Sequence, residues 1–219
     1  HEALLRRFSI GAIAPIAVAS IVAYAANQAF FNLEPMFRLP DMSIELQPLI
    51  PFLIFTGVFS ALTAVAYMAA IRKGRELATR SQWSMPKLLF SCVVVVGAIG
   101  VVVPDVAGLG LQQINQMLDA QFGLGMLLVL LAGKIFVTAY CLTTGFFGGV
   151  FGPALFVGAA TGAVVAHVAI LVGLAPHLSY ALPVAAIAAV GGAVIGAPLT
   201  SIMIVIELTG SYAYGLSAM

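Results

Sequence analysis

Apolar residues gather in six windows along the chain, at roughly 9–31, 48–71, 86–104, 124–142, 150–173 and 181–208. A helix of about 20 apolar residues is long enough to cross the hydrocarbon core of a bilayer. The pattern therefore predicts an all-α protein built from membrane-spanning helices. The first two windows are clean. The later ones are short, rich in glycine and interrupted, which predicts tilted or broken helices instead of simple rods. Pro104, Asp105, Gly108 and Gly110 mark one break between two apolar runs. No unit of 20 to 50 residues repeats along the 219 positions.

Composition sharpens the class. Apolar residues make up 62% of the chain and charged residues 8%, against about a quarter charged in soluble domains. Such a chain cannot cover a water-exposed surface. It reads as a single integral membrane domain over 1–219, with no soluble domain attached. The formal net charge of +1 gives no basis for a nucleic-acid partner. Cys92 and Cys141 both lie within apolar runs and are expected to pack as small hydrophobes, without a disulfide or a metal. Position 1 is His, not Met, and the sequence is expected to be a piece of a longer protein.

Charge also sets an orientation. Arg72, Lys73, Arg75, Arg80 and Lys87 crowd a segment, 72–87, that holds one acid, Glu76. Arg6 and Arg7 flank the first window. Two spans separate these clusters, so both fall on one side, and the positive-inside rule makes that side cytoplasmic. The intervening loop, 32–47, carries Glu34, Asp41 and Glu45 against Arg38, as expected of the outer side.

The stretch GFFGGVFGPALFVGAATG, residues 145–162, carries the candidate chemistry. Its glycines open backbone angles closed to other residues and allow close approach to a ligand. Pro153 suits the first turn of a helix, where its missing N–H would be unbonded anyway. A helix is thus expected to begin near Phe151, and its first N–H groups have no partner within it. An anion satisfies such groups and gains from the helix dipole, an arrangement used by transporters with broken helices. Simple helix packing through small residues is the competing account. It is preferred for 154–165 and the anion account for 145–153, because packing alone does not call for Pro153 after a double glycine.

Other polar residues in apolar surroundings carry weaker signals. Lys134, in LLAGKIFVT, either adds positive potential to an anion path or pairs structurally near a helix end; the sequence leaves both open. Glu207 is expected to be buried in a structural hydrogen-bonding role. His167 and His177 have no carboxylate or second ligand at a useful spacing. Thr143, Thr144 and Thr161 have hydroxyls that could donate to an anion but equally to their own helix. Thr144 is a lesser site candidate. No nucleophile–base pair, metal cluster or phosphate loop is present in the sequence, and an enzyme is not expected.

Two stretches together carry a family resemblance. Gly149-Val150-Phe151-Gly152-Pro153 resembles the GxFxP signature of the CLC chloride channels and chloride/proton antiporters. GAPLTSIMIVIELTG, residues 196–210, resembles a late membrane helix of that family with its APLT and Glu-Thr elements. HEALLRRFS and VVPDVAGLG are similar to stretches at corresponding places. The resemblance runs along essentially the whole chain and keeps the order of elements.

It implies a CLC-like bundle of tilted and broken helices, half of an inverted-repeat architecture: the end of a first half and most of a second. It implies a homodimer in the bilayer, with a separate pore in each subunit, and a membrane location such as the bacterial inner membrane. The backbone N–H groups of Val150 and Phe151 would bind dehydrated chloride and the Phe151 side chain would line the pore. Gly149, Gly152 and Pro153 would shape the turn. Ile202 to Thr209 would lie on or near the dimer interface, which the helix around 9–31 would also touch. The family's GSGIP and GREGP motifs, the second with its gating glutamate, have no counterpart here. Tyr212 and Tyr214 come too early to be its chloride-coordinating tyrosine. About half of an ion pathway is therefore expected, and no conduction by this chain alone. Ala3 stands where the antiporters carry a proton-relay glutamate, so no relay residue is assigned and a channel-like or differently coupled member is favoured. Phe146 and Phe147 depart from the family's small residues or proline.

The expected function is thus transmembrane movement of chloride, by a voltage-gated channel or a chloride/proton antiporter. Backbone N–H groups and a helix dipole would supply the selectivity, and no cofactor is expected. A non-transporting membrane scaffold, with glycines serving only packing, is the rival of another class; a fluoride or nitrate carrier is the rival within transport.

Overall fold

The computed structural model describes residues 46–146, 148–210 and 212–218, with scattered positions between 15 and 39. The first window, with Glu2, Ala3, Arg6 and Arg7, lies outside the described residues apart from isolated helical positions between 15 and 30. The described residues form helices α1 (Leu46–Arg80), α2 (Met85–Val102), α3 (Leu111–Leu118), α4 (Leu124–Thr143), α5 (Phe151–Leu171), α6 (Ala181–Ile195), α7 (Pro198–Thr209) and α8 (Tyr212–Ala218). Short 3₁₀ turns at Pro104–Val106 and Pro176–Tyr180 precede α3 and α6. Five described segments are long and apolar enough to cross a membrane: α1, α2, α4, α5 and Pro176–Ile195. The chain has an all-α membrane fold.

Glycine and proline set the breaks. Pro86 sits in the first turn of α2 and Pro153 in that of α5, where no intrahelical N–H bond is forfeited. Gly196 ends α6 in the left-handed conformation and donates to the Gly192 carbonyl at 2.9 Å. Pro198 then opens α7. The window at 181–208 is therefore two helices, not one span, because a left-handed glycine and a proline two residues on cannot continue a helix. Gly108 and Gly110, both at positive φ, turn the chain between α2 and α3 at the expected break.

The basic segment also differs from a simple loop. α1 runs past its apolar stretch to Arg80, so Arg72, Lys73, Arg75 and Arg80 extend a continuous helix. Their long unbranched side chains are good helix formers, and Arg80 faces the negative end of the helix dipole. Lys87 lies in the first turn of α2.

α5 and α6 form the centre. Each is buried over 72% of its most apolar stretch, against 6% for α2. They approach so closely that a Cβ on Gly158 would stand 2.7 Å from the Ala186 carbonyl oxygen, and one on Gly162 2.3 Å from the Pro183 Cα. The small residues of 154–165 thus serve packing, as van der Waals association of membrane helices requires. Phe156, Leu182 and Ile187 are fully enclosed. At the edge, the Phe37 N–H donates to the Leu208 carbonyl at 2.9 Å and caps the end of α7. In α7, Ser201, Val205 and Thr209 face inward at four-residue spacing. Glu207, expected to be buried, lies on the other side and is exposed, with no hydrogen bond among the described residues. An apolar run does not reveal which side of so short a helix packs.

Candidate anion site at the start of α5

The site is built where α4 ends and α5 begins. Thr144 closes α4, and its N–H returns to the Tyr140 carbonyl at 3.1 Å. Gly145 then takes φ 101°, a conformation that an L side chain resists. Gly149 is different and has no positive φ. A Cβ on Gly149 would meet nothing within 4 Å, and one on Gly148 only Leu142 at 4.0 Å. The expectation of unusual backbone angles therefore applies to Gly145, while the double glycine keeps space empty.

That space is a cavity of about 330 Å³, lined among others by Gly148, Gly149, Pro153, Phe146, Lys134 and Thr138. α5 starts at its edge. Val150 is the residue before the helix, and its carbonyl accepts the first helical bond from Ala154 at 3.1 Å. Among the described residues, none accepts a hydrogen bond from the N–H of Val150, Phe151 or Gly152. The first N–H groups of a helix lie at the positive end of its dipole. Val150 and Phe151 are half-buried and are not themselves on the cavity wall. The Phe151 ring turns toward α6, where its Cε2 lies 3.4 Å from the position of a Cβ on Gly191. Gly152 has Leu109 against it, at 3.0 Å from its Cβ position.

Thr144 is buried, and its hydroxyl donates to the carbonyls of Tyr140 at 2.9 Å and Cys141 at 3.2 Å. A hydroxyl has one donor, so the helix backbone occupies it and leaves none for an anion. Thr143 and Thr161 likewise bond their own helices. Phe146 lines the cavity; Phe147 lies outside the described residues.

Lys134 has structural partners and also stands on the cavity wall. Its Nζ donates to the Val106 carbonyl at 3.0 Å and the Gly108 carbonyl at 2.5 Å, and lies 4.6 Å from the centre of the Phe156 ring. Carbonyl oxygens and a ring face compensate a buried ammonium in place of a carboxylate. The pairing explains the course of the break, whose carbonyls are drawn onto α4. Cys92 and Cys141 are free thiols whose sulfurs lie 3.7 Å apart between α2 and α4.

Tyr67 was not singled out in the sequence. It is fully buried on α1, and its hydroxyl donates to the Val150 carbonyl at 3.2 Å. The available signal was a tyrosine in mid-span, whose O–H must find a partner away from water.

A broken membrane helix thus starts beside a cavity lined by Gly148, Gly149 and Pro153. The family model described as voltage gated chloride channel matches residues 1–219, and the chain belongs to that family. It is 27% identical over 213 residues to the H(+)/Cl(-) exchange transporter ClcA of Vibrio campbellii, covering 94% of this chain and 45% of that protein. It is 26% identical over 219 residues to the chloride channel protein CLC-e of Arabidopsis thaliana, covering 90% of this chain and 30% of that one. The crystal structure of a slow cyanobacterial Cl-/H+ antiporter shares the fold, with a TM-score of 0.70 at 21% identity over 84% of this chain and 44% of that one. The chain spans less than half the length of each of these proteins.

Proposed function

We propose that this chain supplies the chloride-binding helix start of a protein that moves chloride across a membrane. The observation that carries the reading is the α5 N-terminus. Its Val150, Phe151 and Gly152 N–H groups have no acceptor among the described residues, beside a cavity kept open by Gly148 and Gly149. Family membership and the names of the relatives support chloride as the ion. Weak donors suit the task. Several N–H groups and a dipole hold an anion loosely enough to release it, as conduction requires, while the ammonium of Lys134 is occupied by carbonyls.

In this proposal Val150 and Phe151 donate to the ion, and Gly149, Gly152 and Pro153 shape the approach. Thr144 takes no part as a donor. The working unit is a homodimer in a membrane such as the bacterial inner membrane, with the basic end of α1 on the cytoplasmic side. The exposed Leu199 and Met203 on α7 support an apolar contact face there. Ala3, at the position of the antiporters' relay glutamate, favours transport without proton coupling.

The test is flux from liposomes that hold the native full-length protein and are loaded with chloride. External chloride and pH are recorded after a potassium ionophore releases the membrane voltage. Chloride efflux without proton movement is the expected result. Efflux with uphill proton movement would identify an exchanger and overturn the weight placed on Ala3. No chloride efflux, with fluoride and nitrate run alongside, would leave the scaffold reading or point to another anion.

A further inference from the structure

The Val150 carbonyl and the Phe151 N–H are opposite ends of one peptide group, conjugated through the C–N bond. That carbonyl receives two donors: the Ala154 N–H at 3.1 Å and the Tyr67 hydroxyl at 3.2 Å. The second comes from another helix and is not required to start α5. Tyr67 has a single O–H, and it is directed at the Val150 carbonyl. The bond ties Tyr67 on α1 to the peptide that opens α5. The Tyr67 ring is held in place by Ala64, Ala139, Ala154, Val157 and Val190, all buried.

We propose that Tyr67 is a positioning residue that sets anion affinity by polarising the Val150–Phe151 peptide. Each donor on the carbonyl draws electron density toward oxygen and leaves the N–H at the other end a stronger donor, as in any hydrogen-bonded chain in a low-dielectric setting. The bond also fixes the plane of that peptide, and so the direction of the Phe151 N–H. Tyr67 never touches the ion. This inference rests on the proposed anion site and adds a tuning element to it.

The experiment compares three side chains at position 67 in the native full-length protein: Tyr, Phe and 3-fluorotyrosine. Fluorination makes the phenol a stronger donor with little change in size. Chloride affinity is measured by titration calorimetry, and the amide proton of ¹⁵N-labelled Phe151 is followed by NMR with and without chloride. The expected order is graded. Tyr67→Phe weakens chloride binding about two- to fourfold and moves the Phe151 amide proton upfield, whereas fluorotyrosine tightens binding and moves it downfield. A role in packing alone cannot give a gain on fluorination. Equal affinities across the series, or weaker binding for both replacements, would overturn the inference. The two readings fail separately. If chloride leaves the Phe151 amide unmoved in the unsubstituted protein, the anion site fails and this inference with it. If chloride moves that amide but the series is flat, only the role of Tyr67 fails.

Discussion

Replacing Gly162 by alanine asks how firmly the two central helices are locked together. The added methyl would stand 2.3 Å from the Pro183 Cα, 2.6 Å from the Leu182 carbonyl oxygen and 2.8 Å from the Ala186 Cβ. Carbon atoms in contact sit about 3.5–4.0 Å apart, so α5 and α6 would have to separate locally by more than about 1 Å. The two nearest obstacles are backbone atoms, and no rotamer change relieves them. Overpacking of this kind costs about 1–3 kcal/mol, and the backbone obstacles place Gly162→Ala at the upper end. Gly97→Ala is the comparison, because its methyl would meet nothing within 4 Å. Both positions are helical, so the intrinsic preference for alanine, about 1 kcal/mol, is common to both and the difference isolates the packing. Thermal unfolding of the purified full-length protein in detergent reads it. Gly162→Ala should melt well below Gly97→Ala, with Gly158→Ala following Gly162→Ala. Equal melting of the Gly162 and Gly97 variants would refute the claim that backbone contact holds α5 against α6.

Three other expectations follow from the same geometry. Gly149→Val places a side chain into open space, so stability should stay within about 0.5 kcal/mol. Anion flux should fall about tenfold or more, equivalent to about 1.4 kcal/mol on the barrier; unchanged flux in liposomes would remove this cavity from the ion path. Lys134→Met deletes the bonds to the Val106 and Gly108 carbonyls and should cost about 1–3 kcal/mol, with faster amide exchange around Gly108. A melting curve like that of the unsubstituted protein would argue against the tie. Cys92, 1% exposed, should resist a membrane-impermeant maleimide until the protein is denatured. Peptide mass spectrometry showing rapid labelling in the native state would contradict its burial between α2 and α4.

The helix start of the candidate site was legible in the sequence. Pro153 after glycines located the start of α5 at Phe151, because proline in a first turn and unpaired N–H groups are local properties of a helix start. What the double glycine does was not legible. An unusual φ and an empty space both call for glycine, and only the surrounding atoms show that Gly145 meets the first need and Gly149 the second. The competition for Thr144 also required coordinates, since its hydroxyl could have turned either to its own helix or to the cavity.

Hydrophobicity along the chain determined the class, the number of described spans and most of their positions, because a bilayer imposes length and apolarity on each span. It did not determine which spans form the centre. α2 and α5 are similarly apolar, yet one is largely exposed and the other largely buried. In a membrane, lipid and protein interior are equally apolar surroundings, so the hydrophobic pattern that separates inside from outside in water is lost. The tertiary structure alone decided that α5 packs backbone to backbone on α6, and that Glu207 is exposed. It also joined Tyr67, 83 residues away in sequence, to the carbonyl at the start of α5. Such contacts depend on where the helices meet, which no local run of residues encodes.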